Sequence, residues 1–290
     1  MLARPAAADP VDRLSSLLER FRVRAHLFHA GPLCGVTHLA AEPGRGFLHV
    51  LRRGEMSVTH RSRGGAPRRI TLTEPALLFY PRPFTHDFHN APTEGSDLVC
   101  ATLDFEGGAT HPLPRTLPPV VIVPLAALPG IEHTLALLFG EADRQRCGQR
   151  LVADRLFEVL LLQVLRWLID HPGAGGMQPG LLSGLADPRL ARVLTAVHEQ
   201  PSAAWSLVSM AAQAGMSRSA FALAFKTGVG ETPAEYLLQW RMAIAQSLLH
   251  AGTPLKAAAE QLGYGSASSF SRAFTQAVGR SPRVWLQRQT

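Results

Sequence analysis

The spacing of apolar positions changes character along the chain. From Asp187 onward, apolar residues recur three and four apart, with polar residues between them, which is the helical period. Asp187-Pro188 places an N-cap before a proline at the first helical position and starts a helix to about Glu199. Further helices are predicted over 206–214, 217–227, 232–250, 253–262 and 266–278, and from Ser281 through Trp285. Thr232-Pro233-Ala234-Glu235 is a capping box. Thr253-Pro254 and Ser281-Pro282 are expected to start helices in the same cap–proline manner.

The upstream pattern is different. A short helix is expected over 12–22, with Leu14, Leu17, Leu18 and Phe21 at helical spacing. From about 22 to 105 the apolar runs are short and β-rich. Turn signals punctuate them: Pro43-Gly44, Arg53-Gly54, Gly64-Gly65, Glu74-Pro75, Pro81 and Pro83. This spacing predicts an all-β barrel or sandwich, with 61–67 as a hairpin tip. The Pro-rich stretch 106–129 holds one small strand, Val120 to Val123. Helices follow over 131–139 and 151–169. The second is apolar nearly all round, so it needs cover on more than one side, from the barrel and from either the rest of its own domain or a second subunit. Gly and Pro dominate 171–180. The expected organisation is therefore a first domain over 1–170, a linker over 171–184 and a second domain over 185–290, an α+β chain.

Composition narrows the function classes. A length of 290 residues suggests about two domains. No run approaches the ~20 apolar residues of a membrane-spanning helix. The first ten residues lack a charged leader with a long apolar core, so a cytoplasmic protein without membrane attachment is expected. Three cysteines, Cys34, Cys100 and Cys147, are too scattered for a disulfide framework or a zinc finger. The formal net charge is +7, and from Asp187 to Thr290 there are ten Arg/Lys against five Asp/Glu. The excess charge sits in the helical part, as expected for a nucleic-acid footprint.

That part also contains a repeat. Gly215, Phe221, Phe225, Gly230, Pro233, Tyr236 and Leu237 recur as Gly263, Phe270, Phe274, Gly279, Pro282, Trp285 and Leu286. Each unit reads as helix, glycine turn, helix, the helix-turn-helix pattern. Arg241-Met242, Gly263-Tyr264, Phe270, Phe274 and Gly279-Arg280-Ser281-Pro282 resemble the signature of the AraC/XylS family of bacterial transcription regulators. Asp187-Pro188-Arg189 and 214–219 extend the resemblance to about 100 residues. Pro81, His86 and Asn90 resemble the second cupin motif, with Pro83 in place of its usual glycine. At the first cupin motif Gly54 fits, but Phe47 stands where a glutamate belongs.

The resemblance implies a cupin-type sensor domain ahead of an all-α double helix-turn-helix domain. It implies double-stranded DNA as partner, contact with RNA polymerase, activation, an unidentified small-molecule effector and a homodimer, with no cofactor and no catalysis. The alternative is a metal-dependent cupin enzyme with an accessory helical domain.

With Phe270 and Phe274 buried, helical geometry turns Ser268, Arg272 and Thr275 outward, with Ser271 at the edge and Ser269 as a further candidate. Arg272 can bridge guanine O6 and N7. In the first unit Ser219, Leu223 and Lys226 take the matching face, with Ala222 at its edge. Leu223 either meets a thymine methyl or leaves this unit to backbone contacts through Arg218 and Lys226. Arg280 and Arg283 are candidate phosphate clamps. For the signal, Cys34 and Cys100 are candidate redox partners if their strands are neighbours. His86 and His89, with His38 and His49, are candidate metal ligands.

Overall fold

The computed structural model describes residues 11–61, 64–91, 93, 95–144, 146–173 and 176–287. They form two compact units. One is Phe21–Ala186; the other joins the described residues of Met1–Arg20 to those of Asp187–Thr290.

The first unit is a pair of antiparallel sheets. β1 (Val23–Leu33), β8 (Ser96–Phe105), β3 (Arg45–Arg53), β6 (Ala76–Tyr80) and β9 (Val121–Pro124) make five neighbouring strands in that order. β2 (Val36–Leu39), β7 (His86–Asn90), β4 (Met56–Thr59) and β5 (Arg69–Leu72) make the second sheet. Side chains alternate between faces along a strand, and the inward ones close one core: Phe47, Leu51, Met56, Val58, Leu78, Tyr80, Phe88, Leu98 and Cys100. The expected barrel is present. The β4–β5 hairpin runs through 61–67, of which 62 and 63 lie outside the described residues.

α4 (Gln149–Asp170) packs along β1, with α3 (Glu132–Ala142) beside it. The free edge of β1 would expose backbone N–H groups. Instead Asp154 on α4 accepts from Leu27 N at 2.7 Å, and Glu158 accepts from Ala25 N at 3.3 Å. The short α2 (Pro112–Thr116) uses proline at its first turn and the His111 side chain as cap.

Two boundary expectations are corrected here. The linker expected over 171–184 ends early, because α5 (Leu181–Ala186) is helical. Leu181, Leu182 and Leu185 are buried against α2 and α4, so 181–184 belong to the packed domain. α1 (Ser15–Arg20), expected within the 1–170 domain, instead packs on α6 (Pro188–Glu199) and joins the C-terminal unit. An amphipathic segment shows which face it buries, not what buries it.

The C-terminal unit continues with α7 (Leu207–Ala214), α8 (Arg218–Val229), α9 (Pro233–His250), α10 (Leu255–Gln261), α11 (Ala267–Val278) and α12 (Pro282–Leu286). Ser206, Ser217, Thr232, Ser266 and Ser281 cap the helices that follow them through side-chain acceptance of a backbone N–H. At α10 the expected Thr253 cap is replaced by Pro254, which makes no side-chain bond. Gly215, Gly230, Gly263 and Gly279 all take the left-handed conformation that a helix C-terminus favours.

Candidate DNA-binding surface

Each helix-turn-helix unit is pinned by its paired phenylalanines. Phe221 and Phe225 sit at 5.5 Å between ring centroids and are buried, as are Phe270 and Phe274 at 5.9 Å. Phe225 also meets Tyr236 edge-on, and Phe274 meets Trp285, so each pair is locked by the aromatic of the following helix. The 49-residue repeat is therefore a repeat of packing.

The two units are joined by α9 and by contacts that Arg241 makes to both. Arg241 on α9 donates from Nε to Pro201 O at 2.7 Å and from Nη2 to Ala203 O at 2.9 Å. Its guanidinium also lies over the Tyr264 ring, 5.6 Å from the centroid. Arg241 thus ties the turn before α7 to the turn before α11. This role was not legible beyond its place in the family signature, because both acceptors are backbone carbonyls about 40 positions upstream.

With the phenylalanines inward, α11 exposes Ser268, Arg272 and Thr275, with Ser271 half-buried at the edge. Thr275 Oγ1 donates to Ser271 O at 2.7 Å, which holds its hydroxyl along the helix. Ser269 is half-buried, and its hydroxyl donates to Ser266 O at 2.8 Å while accepting from Ser266 N. It completes the helix cap, one turn before Arg272. On α8, Arg218, Ser219, Leu223 and Lys226 are exposed and Ala222 is half-buried. Leu223 keeps 71% of its surface exposed. Arg280 and Arg283 are exposed at the start of α12.

The cupin interior does not gather the expected ligands. His86 points inward, where its ring stacks on Tyr80 at 4.1 Å. His89 points the other way and bonds Thr59 Oγ1 at 2.8 Å. An odd spacing on one strand puts the two on opposite faces, so they cannot hold one metal ion. His38 is likewise outside, bonded to Asp87. Among the described residues no cluster of three or more His, Cys, Asp or Glu is placed to hold a metal ion.

The redox pair is corrected as well. Cys100 faces His49 across β3–β8 and His29 across β1–β8. Cys34 follows Leu33, which pairs with Ser96. Four residue steps along β8 lead from Ser96 to Cys100, about 13 Å at strand rise. That exceeds the ~7 Å limit between disulfide-bonded α-carbons. The strands are neighbours, but the register keeps the thiols apart.

What the interior does hold is a histidine pair. His86 Nδ1 donates to Phe84 O at 2.8 Å, which leaves its Nε2 to accept from His49 Nε2 at 3.1 Å. Burial favours the neutral rings: His86 is lowered to about 4, and His49 falls well below its usual value. His49 Nδ1 and both polar atoms of the Asn90 amide have no hydrogen-bond partner among the described residues.

A concavity of about 650 Å³ is lined by Leu27, Phe28, Leu39, Arg45, Phe47 and Arg150 among others. A β-bulge between Leu27 and His29 leaves Phe28 unpaired and 46% exposed. The Phe28 and Phe47 rings both contact His49, at 6.2 and 5.6 Å. No sequence signal marked Phe28, since a bulge depends on the partner strand.

A double helix-turn-helix domain carried by the same chain as a cupin barrel defines a DNA-binding transcription regulator. The comparisons agree. The Cupin family matches residues 12–170, and the Helix-turn-helix domain family matches 210–288. An AraC-like transcription regulator of Streptomyces antibioticus is 36% identical over 231 residues, covering 71% of this chain and 75% of that protein. Another, of Streptomyces lividans, is 35% identical, covering 68% of this chain and 66% of that protein. The DNA-binding domain of AdpA, solved with a target DNA, is 27% identical over 35% of this chain and 92% of that one, with a TM-score of 0.33. The chain belongs to the AraC-like family of transcription regulators with an N-terminal cupin domain.

Proposed function

We propose that α11 is the principal base-reading helix of this regulator. One observation carries the reading: Arg272, Ser268 and Thr275 share the exposed face of a helix whose opposite face is fixed by Phe270 and Phe274. A guanidinium there reaches guanine O6 and N7 as a bidentate donor, with Ser268 and Ser271 as further donors. Arg218, Lys226, Arg280 and Arg283 hold backbone phosphates on either side and fix the register. Two such helices on one chain address successive major-groove segments about one turn (~34 Å) apart.

The cupin domain receives the signal. The concavity bounded by Phe28 and Phe47, with Arg45, Arg150 and His38 also in its lining, supports a small organic effector with an apolar body and hydrogen-bonding groups. The apolar residues exposed on α3 and α4, namely Leu137, Leu151, Val152 and Val159, support a homodimer formed through these helices. Among the described residues no helix is long and apolar enough to cross a membrane; a DNA target supports the cytoplasm as the site of action. The role is regulatory, through contact with RNA polymerase, and not enzymatic.

The test is binding of the purified full chain to duplexes enriched from a random pool. Arg272→Ala should weaken binding to the preferred duplex by about 1–3 kcal/mol and relax the preference at one position. Unchanged affinity and selectivity would remove the assignment.

A further inference from the structure

The two recognition helices differ at matching positions in one consistent way. Ser271 and Arg272 of α11 correspond to Ala222 and Leu223 of α8. Of the polar members of that face, Ser219 has its hydroxyl 3.5 Å from that of Ser217, the cap of the same helix, and Lys226 lies at its far end. Among the described residues, Leu223 is the most exposed of the large apolar side chains. It does not stand alone. Trp205, Leu207, Met210, Ala222, Pro233 and Leu237 share with it a concavity of about 560 Å³, and Leu207 is itself 42% exposed. Lys226 lines the same concavity, and Arg218 is exposed one turn upstream of Ala222. The nearby carboxylate of Glu235 is held by the helix cap, accepting from Thr232 N at 2.9 Å. The surface is therefore apolar at its centre and cationic at its rim.

We infer that Ala222 and Leu223 of the first unit read thymine through its C5-methyl group, so that the protein recognises a thymine-marked half-site beside a guanine-marked one. The inference rests on the reading of the C-terminal unit as the DNA-contacting one. The packing repeat makes α8 the counterpart of α11, so its exposed face continues the same DNA-binding surface. Among the four bases only thymine offers an apolar group in the major groove, and an aliphatic side chain gains from it what a polar one cannot. The cationic rim supplies sequence-independent attraction to phosphates, which brings the apolar centre onto the base edges.

Uracil removes the methyl group and leaves base pairing unchanged, which isolates the contact. The full-length protein first selects its preferred duplex from a random pool. Thymines are then replaced by deoxyuridine, one half-site at a time. Replacement in the first unit's half-site should weaken binding about three- to tenfold. Leu223→Ala protein should show most of the weakening already on the thymine duplex and a much smaller further loss on the uracil duplex. Replacement in the other half-site should not depend on Leu223. Because Leu223 is exposed, the variant should keep the parent's circular dichroism and melting temperature. Where that fails, Leu223→Thr serves as the second variant.

Equal binding to thymine and uracil duplexes would overturn the inference, as would a uracil effect undiminished in Leu223→Ala. Unchanged DNA binding by Leu223→Ala with lost transcription in a purified RNA polymerase system would also overturn it, by giving the patch to a protein partner. Arg272→Ala separates the two readings. If it weakens binding while uracil is silent, only the thymine reading fails; if both are silent, the DNA-reading assignment fails with it.

Discussion

Gly263 lies so close to Ser202 that a Cβ built on it would stand 2.2 Å from the Ser202 carbonyl oxygen. Its backbone is also left-handed, with φ near +77°. Both constraints act at the turn that aims α11. Gly263→Ala should cost about 1–3 kcal/mol of stability by strain and displacement. The loss would be read in the thermal midpoint of the full chain, accompanied by weaker DNA binding. An unshifted midpoint would mean that the turn relaxes freely.

Lys226 and Arg272 are expected to separate in salt titrations. Lys226→Ala should weaken all duplexes alike and reduce the slope of log K against log salt by about one phosphate contact. Arg272→Ala should instead lower selectivity. A sequence-selective loss in the lysine variant would contradict its phosphate role.

The histidines buried in the neutral form make stability depend on pH. His86 and His111 are each lowered to about 4, mainly by burial, against an ordinary value of 6.5. The unfolded chain therefore binds more protons than the folded one between these values. Stability is intact above pH 6.5 and falls as the pH drops toward 4. At pH 5 each histidine should cost about 2 kcal/mol relative to neutral pH. Denaturant midpoints measured across this range test the sign, and His86→Gln should flatten the dependence.

In the C-terminal unit His198 and Tyr236 share a buried hydrogen bond of 2.6 Å. Burial lowers His198 to about 3. Tyr236→Phe removes the hydroxyl and leaves Nε2 without its partner. The expected loss is about 1–3 kcal/mol, read by chemical denaturation.

Thiol chemistry checks the strand register. Cys100 is buried, and burial pushes its thiol up, whereas Cys34 and Cys147 are exposed. Alkylation of the native protein should label Cys34 and Cys147 and spare Cys100. Oxidation should give no Cys34–Cys100 peptide in a nonreducing digest; its recovery would require a different pairing of β1 with β8.

Apart from the Thr253 cap, the local signals were legible where the structure is local. Ser266, Thr232 and Asp187 announce helix starts because a cap bonds within three residues. Phe270 and Phe274 announce a buried face because four residues make about one turn. Repetition of the set 49 positions apart exposed the double unit and the contrast between Leu223 and Arg272. What only the tertiary structure decided is long-range. Strand register set Cys34 apart from Cys100, a bulge turned Phe28 toward the pocket, and α6 claimed α1. Arg241 and Gly263 acquired their importance from carbonyls on a turn about 40 and 60 residues away. Periodicity records which side of an element avoids water; it carries no record of which distant element comes to cover that side.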